Sequence, residues 1–362
     1  CGHSNFAKSK FSGLANFGLV VFLDSAKFEE SDFSSDVNFS RATIKKDWEF
    51  FKTNFSGSAD ISHVAVGGNL EMSFVSLDGF LDAKALSVAV DADLSNVVIK
   101  GSTKFGRAIF SGDLHFFEAA FRGNVEFSNV FFKGRVNFAD AEFGFVETPR
   151  GSGVYFGGST FVKPVNFGHT RFLLTYPVFS GAELHENTVF TAKPDFWPIK
   201  VQQASEAAKE SCSAIRHVVA KQGLPEDEHF FFRREMQFAG KIGSWWRRLP
   251  YRAFGLFSDY GHSIARPAIA LFARWLVPAL IYMAVFAWEE VRHGIDHGMF
   301  EPFGLSFANV FRVFGFQRLH FGAEYVQGLH NALEGLAAVQ TIFGFVFLFF
   351  LGLGLRQRFR LR

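Results

Sequence analysis

Two histidines with an aspartate between them are the first residues in this sequence that could carry out chemistry. His293 and His297 lie four residues apart with Asp296 between them, a spacing that would place both imidazoles on one face of a helix and suit a metal ion. However, Gly294 and Gly298 disfavour a helix, and no third ligand follows at a recognisable distance. The pattern therefore favours a solvated loop, and we expect neither a metal nor a cofactor.

The remaining polar residues show no spacing typical of an enzyme. The glycines within residues 151–153 and 157–158 lack the following lysine and helix of a phosphate-binding loop. Serine, histidine and aspartate do not fall into a triad pattern, and no pair of carboxylates is spaced for acid–base catalysis. The sequence therefore predicts a protein that is not an enzyme and has no catalytic residues.

One arginine and one glutamine lie inside two long apolar runs near the C-terminus. Residues 267–288 carry a single charge, Arg274, and residues 335–355 carry none but contain Gln340 followed by Thr341. Arg274 could line a pore or pair with an acid inside an oligomer. However, Arg274 lies close enough to the start of its run for its side chain to reach the lipid headgroups. We therefore favour an extended side chain that meets the headgroups over a pore-lining or paired one. Gln340 and Thr341 are expected to hydrogen-bond to a neighbouring helix.

These two runs have the length of membrane-spanning helices. They contain 22 and 21 residues, and about 20 helical residues cross an apolar layer of about 30 Å. The connecting loop at 289–334 is richer in acids than in bases, whereas arginines flank the outer ends of the runs: Arg247, Arg248, Arg252, Arg266, Arg356, Arg358, Arg360 and Arg362. By the positive-inside rule, this predicts a multi-pass protein of a bacterial inner membrane, with both termini in the cytoplasm and membrane lipids as partners. Gly344, Gly352 and Gly354 favour close helix packing and a homo-oligomer.

The loop between the runs contains an apolar segment with the length of a short re-entrant helix. Residues 303–316 read FGLSFANVFRVFGF, so the layout is similar to that of the two-span ion-channel subunit. A potassium filter needs a Thr-Val-Gly-Tyr-Gly-like run of carbonyls, but the candidate pore loop here consists of Phe311, Arg312, Phe314 and Gly315 around a valine. The sequence disfavours a potassium channel. It leaves an unselective or anion-tolerant oligomeric pore as the alternative to a membrane anchor whose loop lies in the interface.

A helical connector is predicted between residues 196 and 266. Residues 200–222 have the apolar face of an amphipathic helix, and Gly223-Leu224-Pro225 ends it and opens a second helix as far as Met236. Residues 241–266 mix arginine with tryptophan and tyrosine, a composition that could bind nucleic acid. Because they directly precede an apolar run, we interpret them as a collar at the membrane interface and expect no nucleic-acid partner.

Phenylalanine recurs at a fixed interval through the first half of the chain. Its steps alternate between five and six residues, and one uninterrupted stretch is Phe105, Phe110, Phe116, Phe121, Phe127, Phe132, Phe138 and Phe143. An amphipathic helix or a single strand would give a different period, so this eleven-residue repeat predicts a solenoid of stacked coils. The six-residue steps often carry a glycine two positions after the repeat residue, and we expect these glycines to form tight turns at corners.

The segments FSGDLHF (110–116), FRGNVEF (121–127) and FKGRVNF (132–138) resemble the phenylalanine-rich form of the pentapeptide-repeat family. This resemblance implies a right-handed quadrilateral β-helix with the large residue of each side stacked centrally. The family usually has five residues per side, so the alternating six predicts slightly rectangular coils of two eleven-residue units. Three parts are expected: a β-solenoid at 1–195 with a loop insertion at 144–155, the connector at 196–266, and the two-span hairpin at 267–362.

Charge and cysteine content narrow the function classes. Some members of that family mimic DNA with a strongly acidic rod, but residues 1–195 hold 18 basic and 22 acidic residues, a net charge of only −4. The two cysteines, Cys1 and Cys212, suit a reducing compartment. Because the chain begins inside a running repeat, we expect a fragment rather than a lipoprotein that starts at Cys1. The sequence therefore favours a membrane-anchored protein that offers the flat sides of its solenoid to a protein partner.

Overall fold

The structure is a computed structural model, and it describes residues 3–144, 153–199, 201, 203–293, 298–321 and 330–359. The chain forms two compact units, Cys1–Ile242 and Gly243–Arg362. The first unit contains β-strands followed by helices, and the second is built from helices. Each unit has apolar cores of its own.

The strands of the first unit are almost all two residues long and form four parallel sheets among the described residues. The first sheet consists of Ser4–Asn5, Ala26–Lys27, Trp48–Glu49, Leu70–Glu71, Ala92–Asp93, Leu114–His115, Val136–Asn137, Val165–Phe167 and Val189–Phe190. The second consists of Lys10–Phe11, Asp32–Phe33, Asn54–Phe55, Ser76–Leu77, Val98–Ile99, Ala120–Phe121, Glu142–Phe143 and Arg171–Phe172. The third consists of Ala15–Asn16, Val37–Asn38, Ala59–Asp60, Leu81–Asp82, Thr103–Lys104, Val125–Glu126 and Val154–Tyr155. The fourth consists of Val21–Phe22, Thr43–Ile44, Ala65–Val66, Ser87–Val88, Ile109–Phe110, Phe131–Phe132 and Thr160–Phe161.

The register of these sheets defines the coil. Ala26 lies opposite Trp48 in the first sheet and Phe33 opposite Phe55 in the second, so each strand pairs with the strand 22 residues later. The chain visits the four sheets in turn, which confirms the predicted β-solenoid, with about eight coils. At Val125 and Val154 the pairing spans 29 residues and the sheets continue in register. Most of the inserted residues, 145–152, lie outside the described part of the chain.

The repeat phenylalanines fill the interior of the solenoid. Those from Phe105 to Phe143 are at most 2% exposed. Rings of successive coils stack nearly parallel, with Phe105 and Phe127 at 5.1 Å between centroids and 1° between planes. Rings on different sides meet edge to face, as for Phe105 and Phe116 at 5.8 Å and 71°. Because each buried ring contributes about 1.5–3 kcal/mol relative to exposure, this ladder is the main source of stability.

The five-residue steps end in turns that place a residue other than glycine in the left-handed region. After Phe28, the N–H of Ser31 donates to the C=O of Phe28 at 3.3 Å, and Glu30 has a φ of 51°, as at the third position of a type II turn. The corresponding residues in other coils, all with positive φ, are Lys8, Leu19, Arg41, Lys52, His63, Phe74, Ala85, Asn96, Arg107, Glu118, Asn129 and Asp140. These turns could not be predicted from the sequence because they accept many residue types here.

The glycines of the six-residue corners have a different role from the one expected. Gly57, Gly112 and Gly134 do not have a positive φ, so the turn itself does not require glycine. Instead, a Cβ built on Gly57 would lie 2.5 Å from the backbone N of Asp36 in the preceding coil, and one on Gly134 would collide with the carbonyl of Gly112. These glycines therefore permit the close stacking of successive coils.

Two helices cover the last coil. Helix α1 (Ser205–Lys221) packs against α2 (Pro225–Ala239), and a 3₁₀ turn at Pro194–Phe196 leads into them. The buried Trp197 stacks on Phe172 at 5.2 Å and donates its Nε1–H to the carbonyl of Thr191 at 2.8 Å. Phe231 of α2 meets the Trp197 ring edge-on at 5.0 Å. The apolar interior of the solenoid is thereby closed at this end.

The second unit contains five helices among the described residues. These are α3 (Trp245–Ser258), α4 (Ala265–His293), α5 (Glu301–Val310), α6 (Phe316–His320) and α7 (Asn331–Arg358), with a 3₁₀ turn at Arg312–Phe314. Residues 265–292 and 331–356 are long and apolar enough to cross a membrane. Both helices exceed the predicted runs because they continue into polar flanks. Helix α3 lies in the predicted collar at 241–266, within the predicted helical connector, and it includes Pro250 and Gly255.

Candidate functional site

Helix α5 packs in the space between the two long helices. In the middle of α5, Leu305 belongs to a buried cluster with Tyr282 of α4 and Leu333 of α7. At its end, Val310 belongs to a second cluster with Leu271 of α4 and Phe347 of α7. The predicted re-entrant segment at 303–316 is therefore helical over its first part and runs alongside both long helices.

Gly344 makes this close packing possible. A Cβ built on Gly344 would lie 2.5 Å from the carbonyl oxygen of Val310, so any larger residue would push α5 away from α7. The sequence suggested that Gly344 would admit a helix of another copy. In the structure, α5 of the same chain packs against Gly344.

Gln340 is the centre of a buried hydrogen-bond network. Its Nε2 donates to Ser306 Oγ at 2.6 Å and to the carbonyl oxygen of Arg274 at 3.0 Å. Ser306 Oγ in turn donates to the carbonyl of Trp275 at 2.6 Å. Gln340 therefore joins α7 to both α4 and α5. Thr341 differs from expectation, because its Oγ1 donates to Ala337 within its own helix.

Tyr282 and Asn309 extend this network. The Tyr282 hydroxyl donates to Oε1 of Gln340 at 3.1 Å, and Nδ2 of Asn309 donates to the Tyr282 oxygen at 3.3 Å. Both residues are fully buried. Oδ1 of Asn309 has no hydrogen-bond partner among the described residues, so the network retains one free acceptor. Ser306 and Asn309 were not among the predicted site residues, although a polar side chain in an apolar segment is a signal of buried hydrogen bonding.

Arg274 lies beside this network with part of its hydrogen-bonding capacity unused. Its guanidinium carbon lies 4.9 Å from the centre of the Phe343 ring on α7, a cation–π contact. Its Nε and Nη2 are buried and have no partner in the described part of the chain. The side chain thus rests against the neighbouring helix and is half-buried.

The candidate pore loop forms a helical turn instead of an extended run of carbonyls. The carbonyls of Phe311 and Arg312 accept hydrogen bonds from the N–H groups of Phe314 and Gly315, both at 3.0 Å. Gly315 has a φ of 79° and ends the turn. Arg312 and Phe314 are exposed, and an open groove of about 450 Å³ lies beside Val313. Carbonyls engaged in this way are not free to replace the water of an ion.

The candidate metal pair cannot be placed. Asp296 and His297 lie outside the described residues. Among the residues that the structure describes, no group of three histidine, cysteine or acidic side chains is arranged to hold a metal ion.

The solenoid carries exposed phenylalanines on both borders of its second sheet. Phe74 and Phe80 are 51% and 54% exposed, and Phe117 is 37% exposed. The rings of Phe51 and Phe74 meet edge-on at 5.8 Å. Between these borders the outward residues of the sheet are small or short: Asn54, Ser76, Val98 and Ala120. We call Phe51, Phe74, Phe80 and Phe117, with the sheet between them, the aromatic face.

The four-sided winding, the stacked interior rings and the helical closure define a β-solenoid protein with a separate helical unit. The family model described as pentapeptide repeats, in nine copies, matches residues 6–53, and the same register continues through the later coils. Residues 6–53 are therefore similar to the pentapeptide-repeat family, and the later coils share their winding. No curated protein and no solved structure matches the chain.

Proposed function

We propose that this protein is a membrane-anchored scaffold without catalytic activity, whose solenoid binds a protein partner through the aromatic face. The observation that carries the proposal is the half exposure of Phe74 and Phe80 at the borders of a parallel sheet, in a chain that also has two long apolar helices. Aromatic side chains on a pre-formed surface contribute large contact area at low entropic cost, as in many protein interfaces.

The anchoring part of the proposal rests on the outward side chains of α4 and α7. Ile269, Phe272, Ile342 and Phe345 are 57–67% exposed within this unit. In water such faces would be costly, and lipid tails or a second copy of the chain would cover them. With arginines at the outer ends of both helices, we place the protein in a bacterial inner membrane with both termini in the cytoplasm.

Membrane extraction tests the anchor. Membranes from cells that produce the full chain are washed with alkaline carbonate, and we expect the protein to stay in the pellet and to need detergent for release. In spheroplasts, external protease should leave the solenoid intact. Release into the carbonate supernatant would contradict the proposed membrane anchor. Cleavage of the solenoid by external protease would contradict the proposed orientation.

Site-specific crosslinking tests the aromatic face. A photo-activatable residue in place of Phe80, in the full chain within its native membrane, should capture a partner as a discrete band. The same residue in place of Leu19, which is 72% exposed but lies outside the aromatic face, should not. Phe74→Ser should weaken the capture at position 80. Equal capture at both positions, or none at either, would contradict the assignment of this face.

A second candidate function, an oligomeric pore with the solenoid as its assembly or regulatory domain, is favoured by α5 and Arg274. Helix α5 packs between the long helices and meets α7 at Gly344, and two nitrogens of the Arg274 guanidinium have no hydrogen-bond partner among the described residues. A cation with unused donors would favour anions in an oligomer. In lipid vesicles, anion flux that falls with Arg274→Gln would support a pore, and the absence of flux at any voltage or tension would exclude it.

A further inference from the structure

We propose that α3 lies in the headgroup layer of the membrane and binds the phosphates of anionic phospholipids. This inference rests on the membrane anchoring proposed above and adds a ligand class and the residues that recognise it. Three features of α3 support it: an exposed apolar stripe, a set of arginines with no acidic partner among the described residues, and its attachment to the arginine-rich end of the hairpin.

The apolar stripe runs along the outward side of α3. Trp245, Leu249 and Leu256 are 60%, 53% and 68% exposed, and their spacing of four and seven residues places them on one side of a helix. Trp246 is 65% exposed, and its ring stacks on that of Trp245 at 3.6 Å. Indole rings prefer the boundary between lipid tails and water. The stripe therefore has the composition of a surface that inserts shallowly into a bilayer.

The arginines of α3 are available for phosphate. Arg247 and Arg252 are exposed, and neither forms an ion pair with a carboxylate of the described residues. Arg248 Nε donates to the carbonyl of Gly243 at 2.8 Å, and no ion pair of Arg248 occurs within the described part of the chain. Helix α3 itself contains no acidic residue. Guanidinium groups bind phosphate oxygens through paired N–H donors, so this charge pattern selects an anionic lipid surface over a neutral one.

The inner side of α3 fixes its position on the hairpin. Phe257 contacts Phe347 of α7 at 5.1 Å between ring centres, and Phe254 stacks on Phe350 at 5.8 Å. Both partners lie in the second half of α7, which ends at Arg358. At the start of α4, Arg266 donates from its Nη1 to the carbonyl of Gly255 at 3.1 Å. Helix α3 is therefore held at the end of the long helices where the cationic side chains gather.

Thiol accessibility in lipid nanodiscs tests the inference. The full chain with Cys1→Ser, Cys212→Ala and Leu249→Cys is placed in discs of phosphatidylcholine alone or of phosphatidylcholine with phosphatidylglycerol, and alkylation by uncharged iodoacetamide is timed. We expect the introduced thiol to react at least tenfold more slowly in the anionic discs. The difference should shrink with added salt. Leu19→Cys in the same background reports reagent access to an exposed site of the solenoid.

Charge variants decide whether the arginines are responsible. An arginine near an anionic surface contributes roughly fivefold to binding, so Arg247→Gln, Arg248→Gln and Arg252→Gln together should weaken docking about 100-fold and equalise the two rates. The matched control removes the same charge from exposed arginines of the solenoid, with Arg41→Gln, Arg107→Gln and Arg135→Gln, and should leave the difference unchanged. Equal rates for the parent chain in both discs would overturn the lipid preference alone. Failure of the chain to enter either disc would overturn the anchor as well.

Discussion

Nε2 of Gln340 lies 2.6 Å from Oγ of Ser306, and both residues are fully buried. The Ser306 hydroxyl donates onward to the carbonyl of Trp275, so one side-chain contact connects α7, α5 and α4. An apolar environment raises the cost of leaving any of these groups unpaired. Helix α5 is thus fixed between the long helices and is not a loose connection.

Replacing Gln340 should loosen this arrangement. Gln340→Leu keeps the volume of the side chain but removes the donor to Ser306 Oγ and to the Arg274 carbonyl, and the acceptor of the Tyr282 hydroxyl. Buried polar contacts between membrane helices contribute about 1–2 kcal/mol, and we expect a loss of that size in the free energy of unfolding. Unfolding of the full chain in mixed micelles with increasing dodecyl sulfate measures it.

Thr341→Val is the matched control for that variant. Thr341 is the next residue of the same helix, and its hydroxyl donates to Ala337 one turn earlier, within α7. Its removal costs no contact between helices, so the unfolding midpoint should stay within error of the parent. A loss in the control equal to that in Gln340→Leu would show that the network around Ser306 is not the cause.

Two adjacent phenylalanines should differ sharply in their contribution to the solenoid. Phe132 is buried and stacks on Phe161 at 4.5 Å, whereas Phe131 is 38% exposed on the outer side of the same strand. Phe132→Ala leaves a cavity and should lower the free energy of unfolding by about 3–5 kcal/mol, while Phe131→Ala should change it by about 0.5 kcal/mol. Hydrogen exchange of residues 105–143 measures both. Similar losses would contradict the inward register of the repeat.

The period of this ladder explains why the solenoid could be predicted. A coil that buries one large residue per side must repeat that residue at the length of the side, so the interior appears directly in the spacing of Phe105, Phe110 and Phe116. The turn residues do not repeat in kind: Leu19, Phe74 and Ala85 share a left-handed conformation without sharing chemistry. Backbone pairing between coils imposes that conformation, and no local propensity indicates it.

In the helical unit, the helices could be predicted from the sequence but the contacts between them could not. Length and apolarity were enough to predict the two long helices, and Gln340 stood out as a polar residue in an apolar run. Its partners could not be predicted, because Ser306 and Arg274 reach it only through the packing of three helices. Gly344 was interpreted as a contact for another copy of the chain because the sequence does not show that α5 packs against it. Which helix fills the space beside a glycine is a property of the folded chain.

Replacing glycine by alanine should destabilise the solenoid only where the added methyl group would collide with the neighbouring coil. Gly134 and Gly106 both lie inside the solenoid, and neither has a positive φ. A Cβ on Gly134 would collide with Gly112, while the nearest atom to one on Gly106 would be the carbonyl oxygen of Ser128 at 3.6 Å, an ordinary contact. Gly134→Ala should therefore cost about 1–3 kcal/mol, and Gly106→Ala should change stability by about 0.5 kcal/mol or less. Urea denaturation of the full chain in detergent compares them, and equal midpoints would refute the stacking role.

An acidic pair on the first sheet should make the stability of the solenoid depend on pH. Glu49 Oε2 accepts a hydrogen bond from Lys27 Nζ at 2.6 Å. The Glu29 carboxyl also meets Glu49, and this hydrogen bond, followed by burial, raises the pKa of Glu29 above its ordinary value of 4.5. The folded state therefore favours the protonated form of Glu29, which donates to the Glu49 carboxylate.

The sign of the effect follows from this raised pKa. A group that binds its proton more tightly when folded stabilises the fold below its unfolded pKa, and that contribution is lost as the pH rises through the folded value. Stability supplied by Glu29 should thus decline as the pH rises from about 4.5. Glu29→Gln keeps an N–H donor at every pH, so it should match the parent in acid and exceed it near neutrality in urea midpoint. Glu118→Gln removes an exposed carboxyl elsewhere and should retain the parent's slope. If Glu29→Gln loses stability near neutrality, the two carboxyls do not interact as the structure indicates.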